Sequence, residues 1–123
     1  MSQICVRAAR GAIRVSEDTP EVVLSATAHL LGAMLERNGI DEVGDLVSVF
    51  FTVTPDLRSA FPAEAARRMG LGAVPLLCAQ EIPVAGAMGR VVRVLMHFHT
   101  PRAQAEVVHA YLDGAESLRD DLG

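Results

Sequence analysis

Lysine and tryptophan are missing from this sequence, and each absence narrows what the chain can do. All eleven cationic side chains among its 123 residues are arginines. Schiff-base chemistry, a lysine-anchored pyridoxal phosphate and a Walker-type phosphate loop are therefore excluded. Aromatic residues make up only 4%, so a core must be built from Val, Leu, Ala and Met. The two cysteines, Cys5 and Cys78, form neither a disulfide framework nor a zinc spacing. No basic run accompanies the net charge of -4, which argues against a nucleic-acid partner, since phosphate binding needs clustered cations. No stretch approaches the ~20 apolar residues of a membrane span. Met1 to Arg10 carries two arginines and no signal-peptide core. The expectation is one domain over residues 1–123, in a reducing cytoplasm, without nucleic-acid or membrane partners.

Half of the sequence is hydrophobic, enough for an ordinary core and for some apolar surface shared between subunits. Ile4 to Val15 favours a strand, with Gly11 as a bend or close-contact point. Thr19-Pro20-Glu21 reads as a helix start: an N-cap, a first-turn proline and an acid at the positive end of the dipole. Val23, Thr27, Leu30, Leu31, Met34 and Leu35 follow at helical spacing until Asn38-Gly39. Leu46 to Thr54 is a second strand with odd-numbered apolar residues. Phe61-Pro62-Ala63 opens a short helix ending near Met69-Gly70, Val74 to Gln80 is a third strand, and Pro83 to Gly89 is a loop. Arg90 to His99 gives a fourth strand, and Arg102 to Asp113 a last helix around Val107, Val108, Tyr111 and Leu112. The order β-α-β-α-β-β-α implies an α/β (α+β) fold, a mixed sheet of four to five strands with helices on one face. Apolar residues on both sides of the strands suggest that another subunit covers the bare face.

Several residues break the local pattern. Arg93 lies mid-strand between Val91 and Leu95, either buried with an anionic partner or snorkelling to water. Arg10 repeats the anomaly between Ala8 and Ala12, whose small side chains leave room for a ligand carboxylate. Arg7 falls on the opposite face and suits a salt bridge. Glu81, at a strand end, is either solvated or an acceptor for a ligand hydroxyl, with the Cys78 thiol as a nearby weak donor. Strand parity sets those two side chains on opposite faces unless a bulge or turn intervenes at Ala79-Gln80. Tyr111 suits a core or interface position with a partner for its hydroxyl. His97 and His99 share a face, but no third ligand stands at a metal spacing. No nucleophile-base arrangement has a recognisable context. Pattern alone supports a small oligomeric α/β domain with an arginine-lined site.

These oddities fall together in one resemblance. Arg10-Gly11-Ala12 followed by Thr19-Pro20-Glu21 resembles the opening of the AroH-class chorismate mutases. Thr54-Pro55-Asp56-Leu57, Ala60-Phe61-Pro62-Ala63 and Arg67 are similar to that family's next segment. Val74-Pro75-Leu76-Leu77-Cys78-Ala79-Gln80-Glu81, Arg93-Val94 with Met96, Tyr111-Leu112 and Leu118-Arg119 continue the likeness in order. The resemblance implies a homotrimeric pseudo-α/β-barrel with active sites at the subunit interfaces, chorismate as substrate and no cofactor or metal. It implies that Arg10, Arg93 and Tyr111 surround the enolpyruvyl carboxylate and ether, and that Cys78 and Glu81 meet the ring hydroxyl. Phe61, Ala63, Arg67, Leu76 and Leu77 would line the pocket, with Leu118 in a segment that closes over it. Two departures stand out: Glu64 occupies a position often cationic in the family, and the chain stops at Gly123, giving a short closing tail.

The implied reaction, chorismate to prephenate, breaks one C–O bond and forms one C–C bond without moving a proton. It needs a compact substrate and stabilisation of charge on the ether oxygen, in keeping with a sequence that has no evident nucleophile or base. Two rival readings are a trimer resembling the reactive-intermediate deaminases, which also hold a carboxylate with a cleft arginine, and a non-catalytic carboxylate-binding protein. Cys78, Glu81 and Tyr111 favour the mutase.

Overall fold

The computed structural model describes residues 3–118. Its sheet contains β1 (Cys5–Arg14), β2 (Leu46–Val53), β3 (Leu76–Gln80), β4 (Val91–Thr100) and β5 (Ala110–Leu112), in the spatial order β3-β2-β4-β1-β5. β1 and β4 pair antiparallel over their full lengths, from Cys5↔Thr100 to Arg14↔Val91. β2 also runs antiparallel to β4, whereas β3 adds to β2 and β5 adds to β1 in parallel.

One face of this sheet carries both helices, α1 (Pro20–Arg37) and α2 (Ala63–Ala66). Thr19 caps α1 as its sequence suggests, its hydroxyl accepting the Val22 N–H at 3.3 Å. Leu30, Leu31 and Met34 of α1 meet Ile13, Val49, Phe51, Val94, Met96 and Phe98 in the main core. Gly11 is the close-contact point: a Cβ there would lie 2.5 Å from Met34 Sδ and 3.1 Å from Leu30 Cδ1. The missing side chain lets α1 rest directly on β1.

The opposite face is largely open. Leu77, Phe50 and Leu95, aligned across β3, β2 and β4 by the register, are 59%, 38% and 37% exposed. Such a row has water on one side and apolar atoms on the other, the pattern of a surface awaiting a partner.

The expected helix over Arg102–Asp113 does not form. A single 3-10 turn, Gln104–Glu106, is followed by an extended chain into β5. The spacing of Val107, Val108, Tyr111 and Leu112 imitates a helix, but β1 offers an open edge, and pairing satisfies its backbone groups. Gly11, Ala12 and Ile13 pair with Ala110, Tyr111 and Leu112. Tyr111 is therefore a strand residue, and the sheet has five strands. Arg7 departs too: its Nε donates to the Arg102 carbonyl at 3.1 Å in place of a salt bridge.

Asn38 docks this segment. It is 2% exposed, its Nδ2 donates to the carbonyls of Met34 and Val108 at 2.8 and 2.9 Å, and its Oδ1 accepts the Val108 N–H at 2.8 Å. Asn38→Ala strands several buried groups at once and should cost about 2–4 kcal/mol. Urea titration at one fixed protein concentration measures it; a loss below about 0.5 kcal/mol would mean that this clasp does not hold the end of the sheet.

Candidate active site

The β1–β4 register decides which side chains can meet. Ala12 lies opposite Arg93 and Arg10 opposite Leu95, so the two arginines are diagonal neighbours on the open face. Tyr111 stands beside Ala12 in the parallel pair, and Thr52 of β2 faces Arg93 from the other side. Arg10, Thr52, Arg93, Tyr111 and Leu118 line one cavity of about 280 Å³, together with Phe50 and Leu95.

Glu81 extends the ladder just beyond β3, where its N–H donates to the Val53 carbonyl at 2.9 Å. That continuation keeps odd parity and turns the Glu81 carboxylate toward Arg93. Its Oε2 accepts from Arg93 Nε at 3.0 Å and from the Thr52 hydroxyl at 2.7 Å. Both bonds use one oxygen, and the arginine is engaged through Nε only. The terminal guanidinium nitrogens of Arg93 have no partner among the described residues, nor do the Arg10 guanidinium and the Tyr111 hydroxyl. Three donors thus border one cavity, with a carboxylate holding the central one in orientation. Tyr111 is itself packed against Ala12, Val91 and Ala115 with Leu118 beside it. The chain brings Ala115 and Leu118 back against Tyr111 by reversing at Asp113-Gly114, both at positive φ.

The remaining expected site residues lie elsewhere in the chain. β3 runs in unbroken register with β2, placing Cys78 beside Phe51. No bulge occurs at Ala79-Gln80, so Cys78 and Leu76 pack on the helix-covered core while Glu81 faces the opposite side. Cys78 lines a separate cavity of about 330 Å³ with Phe61 and Pro62. Phe61 is 72% exposed. Ala63 is buried in α2, and Leu77 stands on the open face. Glu64 braces Arg67 and Arg68 at 3.0 and 3.3 Å. The Arg67 hydrogen bond foremost, then the charges of both arginines, holds the Glu64 carboxyl below its usual range. The unexpected acid is neutralised within its own helical turn. Arg119 and the segment beyond it lie outside the described residues.

Sequence reasoning missed Thr52, whose mixed strand face gave no sign of a carboxylate partner. It also missed His109, whose Nδ1 accepts the Arg10 backbone N–H at 2.9 Å. A larger, open depression of about 860 Å³ between α1 and the end of β1 mixes Arg14 and Arg90 with Glu21 and Asp113 and gathers none of the expected site residues. Among the described residues, no three His, Cys, Asp or Glu side chains stand together as metal ligands, and no helix is long and apolar enough to cross a membrane.

A family model, chorismate mutase type I, matches residues 6–122. The chain belongs to that family. Chorismate mutase AroH of Thermus thermophilus is 56% identical over 117 residues, covering 95% of this chain and 96% of that protein. Chorismate mutase AroH of Bacillus subtilis is 38% identical over 118 residues, covering 95% and 92%. In three dimensions, a chorismate mutase from Clostridium thermocellum superposes with a TM-score of 0.87 at 44% identity, covering 89% of this chain and 97% of that one. The type I chorismate mutase resemblance read from scattered motifs therefore holds over nearly the whole chain.

Proposed function

We propose that this protein is a chorismate mutase that converts chorismate to prephenate by electrostatic stabilisation of a concerted rearrangement. The reading rests on the family membership over residues 6–122, together with the unengaged donors of Arg10, Arg93 and Tyr111 around one cavity. The reaction supplies the precursor of phenylalanine and tyrosine. One C–O bond breaks and one C–C bond forms within a single molecule, so no acid, base or nucleophile is required.

Arg10 and Tyr111 hold the enolpyruvyl carboxylate, and the free edge of the Arg93 guanidinium donates to the ether oxygen. Negative charge grows on that oxygen as the C–O bond stretches, so the Arg93 contact strengthens toward the transition state, which is the difference that accelerates the step. Glu81 performs two tasks in this scheme. Its Oε2 keeps Arg93 in place through the 3.0 Å contact, and its other oxygen is available for the ring hydroxyl. Preorganisation of this kind removes the cost of turning a dipole during the reaction.

Half of the expected pocket is missing from this arrangement. Phe61, Ala63, Arg67, Leu76, Leu77 and Cys78 belong to it by resemblance, yet Cys78 lines a different cavity. A homotrimer with its sites at subunit interfaces supplies the second half from a neighbouring chain. It also removes the parity conflict, because Cys78 and Glu81 then reach the ring hydroxyl from two chains. The open Leu77–Phe50–Leu95 row and the exposed Phe61 support this assembly. Light scattering at micromolar concentration should report three chains; a fully active monomer would rule out the shared site.

The purified protein should deplete the ultraviolet absorbance of chorismate. Arg93→Ala should lower kcat by about 10²–10³, the range for a donor aimed at transition-state charge. Arg93→Lys should also fail badly, since an ammonium lacks the planar fork that meets Glu81 and ligand together. Near-wild-type kcat in a folded Arg93→Lys variant would remove Arg93 from the ether oxygen.

Cys78→Ser should keep much of the activity, because a hydroxyl also donates to oxygen. Complete loss of turnover with the fold intact would point to covalent chemistry at Cys78 and against the concerted mechanism.

A further inference from the structure

The outer edge of β1 is closed in two different ways. From Gly11 to Ile13 it pairs with β5. Nearer the N-terminus, two side chains replace the missing strand. Gln104 clamps Ala8, accepting its N–H at 3.1 Å and donating to its carbonyl at 2.7 Å. His109, the residue before β5, accepts the Arg10 N–H on Nδ1 at 2.9 Å. Arg10 sits at the junction between these two kinds of pairing, where a strand edge would otherwise fray.

We propose that His109 is the positioning residue for Arg10, and that only its neutral ring, with Nδ1 as acceptor, holds the Arg10 guanidinium where it can bind the substrate carboxylate. The proposal rests on the mutase reading above. The geometry requires it of the ring: Nδ1 faces a backbone donor, so the neutral tautomer carries its proton on Nε2. Protonation would set one N–H against another and add a second positive charge beside Arg10.

The surroundings favour the neutral form. Partial burial, and secondarily the Arg10 charge, hold the His109 pKa below its ordinary value. Among the described residues, no carboxylate offsets these effects. Glu106, in the preceding turn, is engaged with the Ala103 N–H at 2.8 Å. His97 and His99 on β4 stand opposite Ala8 and Val6 rather than Arg10. Because the folded pKa lies below the unfolded one, the contact is intact above about 6.5 and is lost as pH falls toward the lowered value. A second cation would attract an anion at long range, but salt screens that attraction, whereas the donor–donor clash acts at hydrogen-bond distance.

Binding by Arg10 is shared by the ground and transition states, so its loss should appear in KM rather than kcat. His109→Ala should raise KM for chorismate about 3–10-fold, the equivalent of one hydrogen bond, with kcat changed less than about twofold. His109→Asn places Oδ1 near the position of Nδ1 and cannot be protonated there; it should recover most of the loss. In the wild type, KM should rise as pH falls below about 6.5, and His109→Asn should lack that rise. An unchanged KM in folded His109→Ala, an acid limb surviving in His109→Asn, or a wild-type KM that falls on acidification would each overturn the proposal. Substrate-free NMR separates this from the fate of the mutase reading. The Arg10 amide shift should follow the His109 titration in the wild type and be flat in His109→Asn. If the wild type left chorismate unchanged, the mutase reading would fail, while an Arg10 amide insensitive to that titration would independently dismiss the contact.

Discussion

The ten-residue antiparallel pairing of β1 with β4 is the constraint on which the site depends. It runs without a bulge, so parity fixed at one end holds to the other. Even-numbered residues of β1 and odd-numbered residues of β4 share the open face, which makes Arg10 and Arg93 neighbours. A slip of one residue would put the two arginines on opposite faces and send one of them into the helix-covered core, where an unpaired charge is very costly. That core, built from Ile13, Val94, Met96 and Phe98 against α1, therefore fixes the register and the site at once. Gly11 belongs to the same constraint, because a side chain there would collide with Met34 and Leu30 of α1.

The edges of the sheet complete what its centre begins. β5 is only three residues long, too short to be stable by itself, and Asn38 ties the preceding chain to the end of α1. On the other flank, β3 carries Glu81 to Arg93 by simple continuation of the ladder past Gln80. Tyr111 and Glu81 thus come from opposite edges, and the arginines between them belong to central strands. The residues assigned to the substrate carboxylate and hydroxyl are spread across the sheet, a sensible layout for holding two ends of one molecule.

Arg10 and Arg93 were legible because a charge amid period-2 apolar residues is a local anomaly. Thr19 and Gly11 were legible for the same reason: capping and close approach are written in neighbouring residues. The helical spacing of Val107, Val108, Tyr111 and Leu112 favours a helix around Tyr111; the open edge of β1, about a hundred residues earlier, outweighs that preference, and nothing local records it. The Arg10–His109 bond likewise spans 99 positions and joins a backbone group to a ring, leaving no spacing to read. Cys78 shows the opposite case. Parity flagged its conflict with Glu81, and the regular register of β3 keeps that conflict within one chain.

The conflict matters for energetics as well as for assembly. In the single chain the Arg93 side chain is 39% exposed and that of Glu81 19%. Two unit charges 4 Å apart interact by about 1 kcal/mol in bulk water and about 4 kcal/mol at the effective dielectric near a protein surface. A guanidinium with water at its side stabilises a developing oxyanion weakly, since solvent screens it and must reorganise as charge moves. The rate effect assigned to Arg93 therefore requires water to be displaced. Among the described residues nothing covers the Leu77–Phe50–Leu95 row beside it. In the proposed trimer, the apolar surface that drives association is also the surface that dries the arginine.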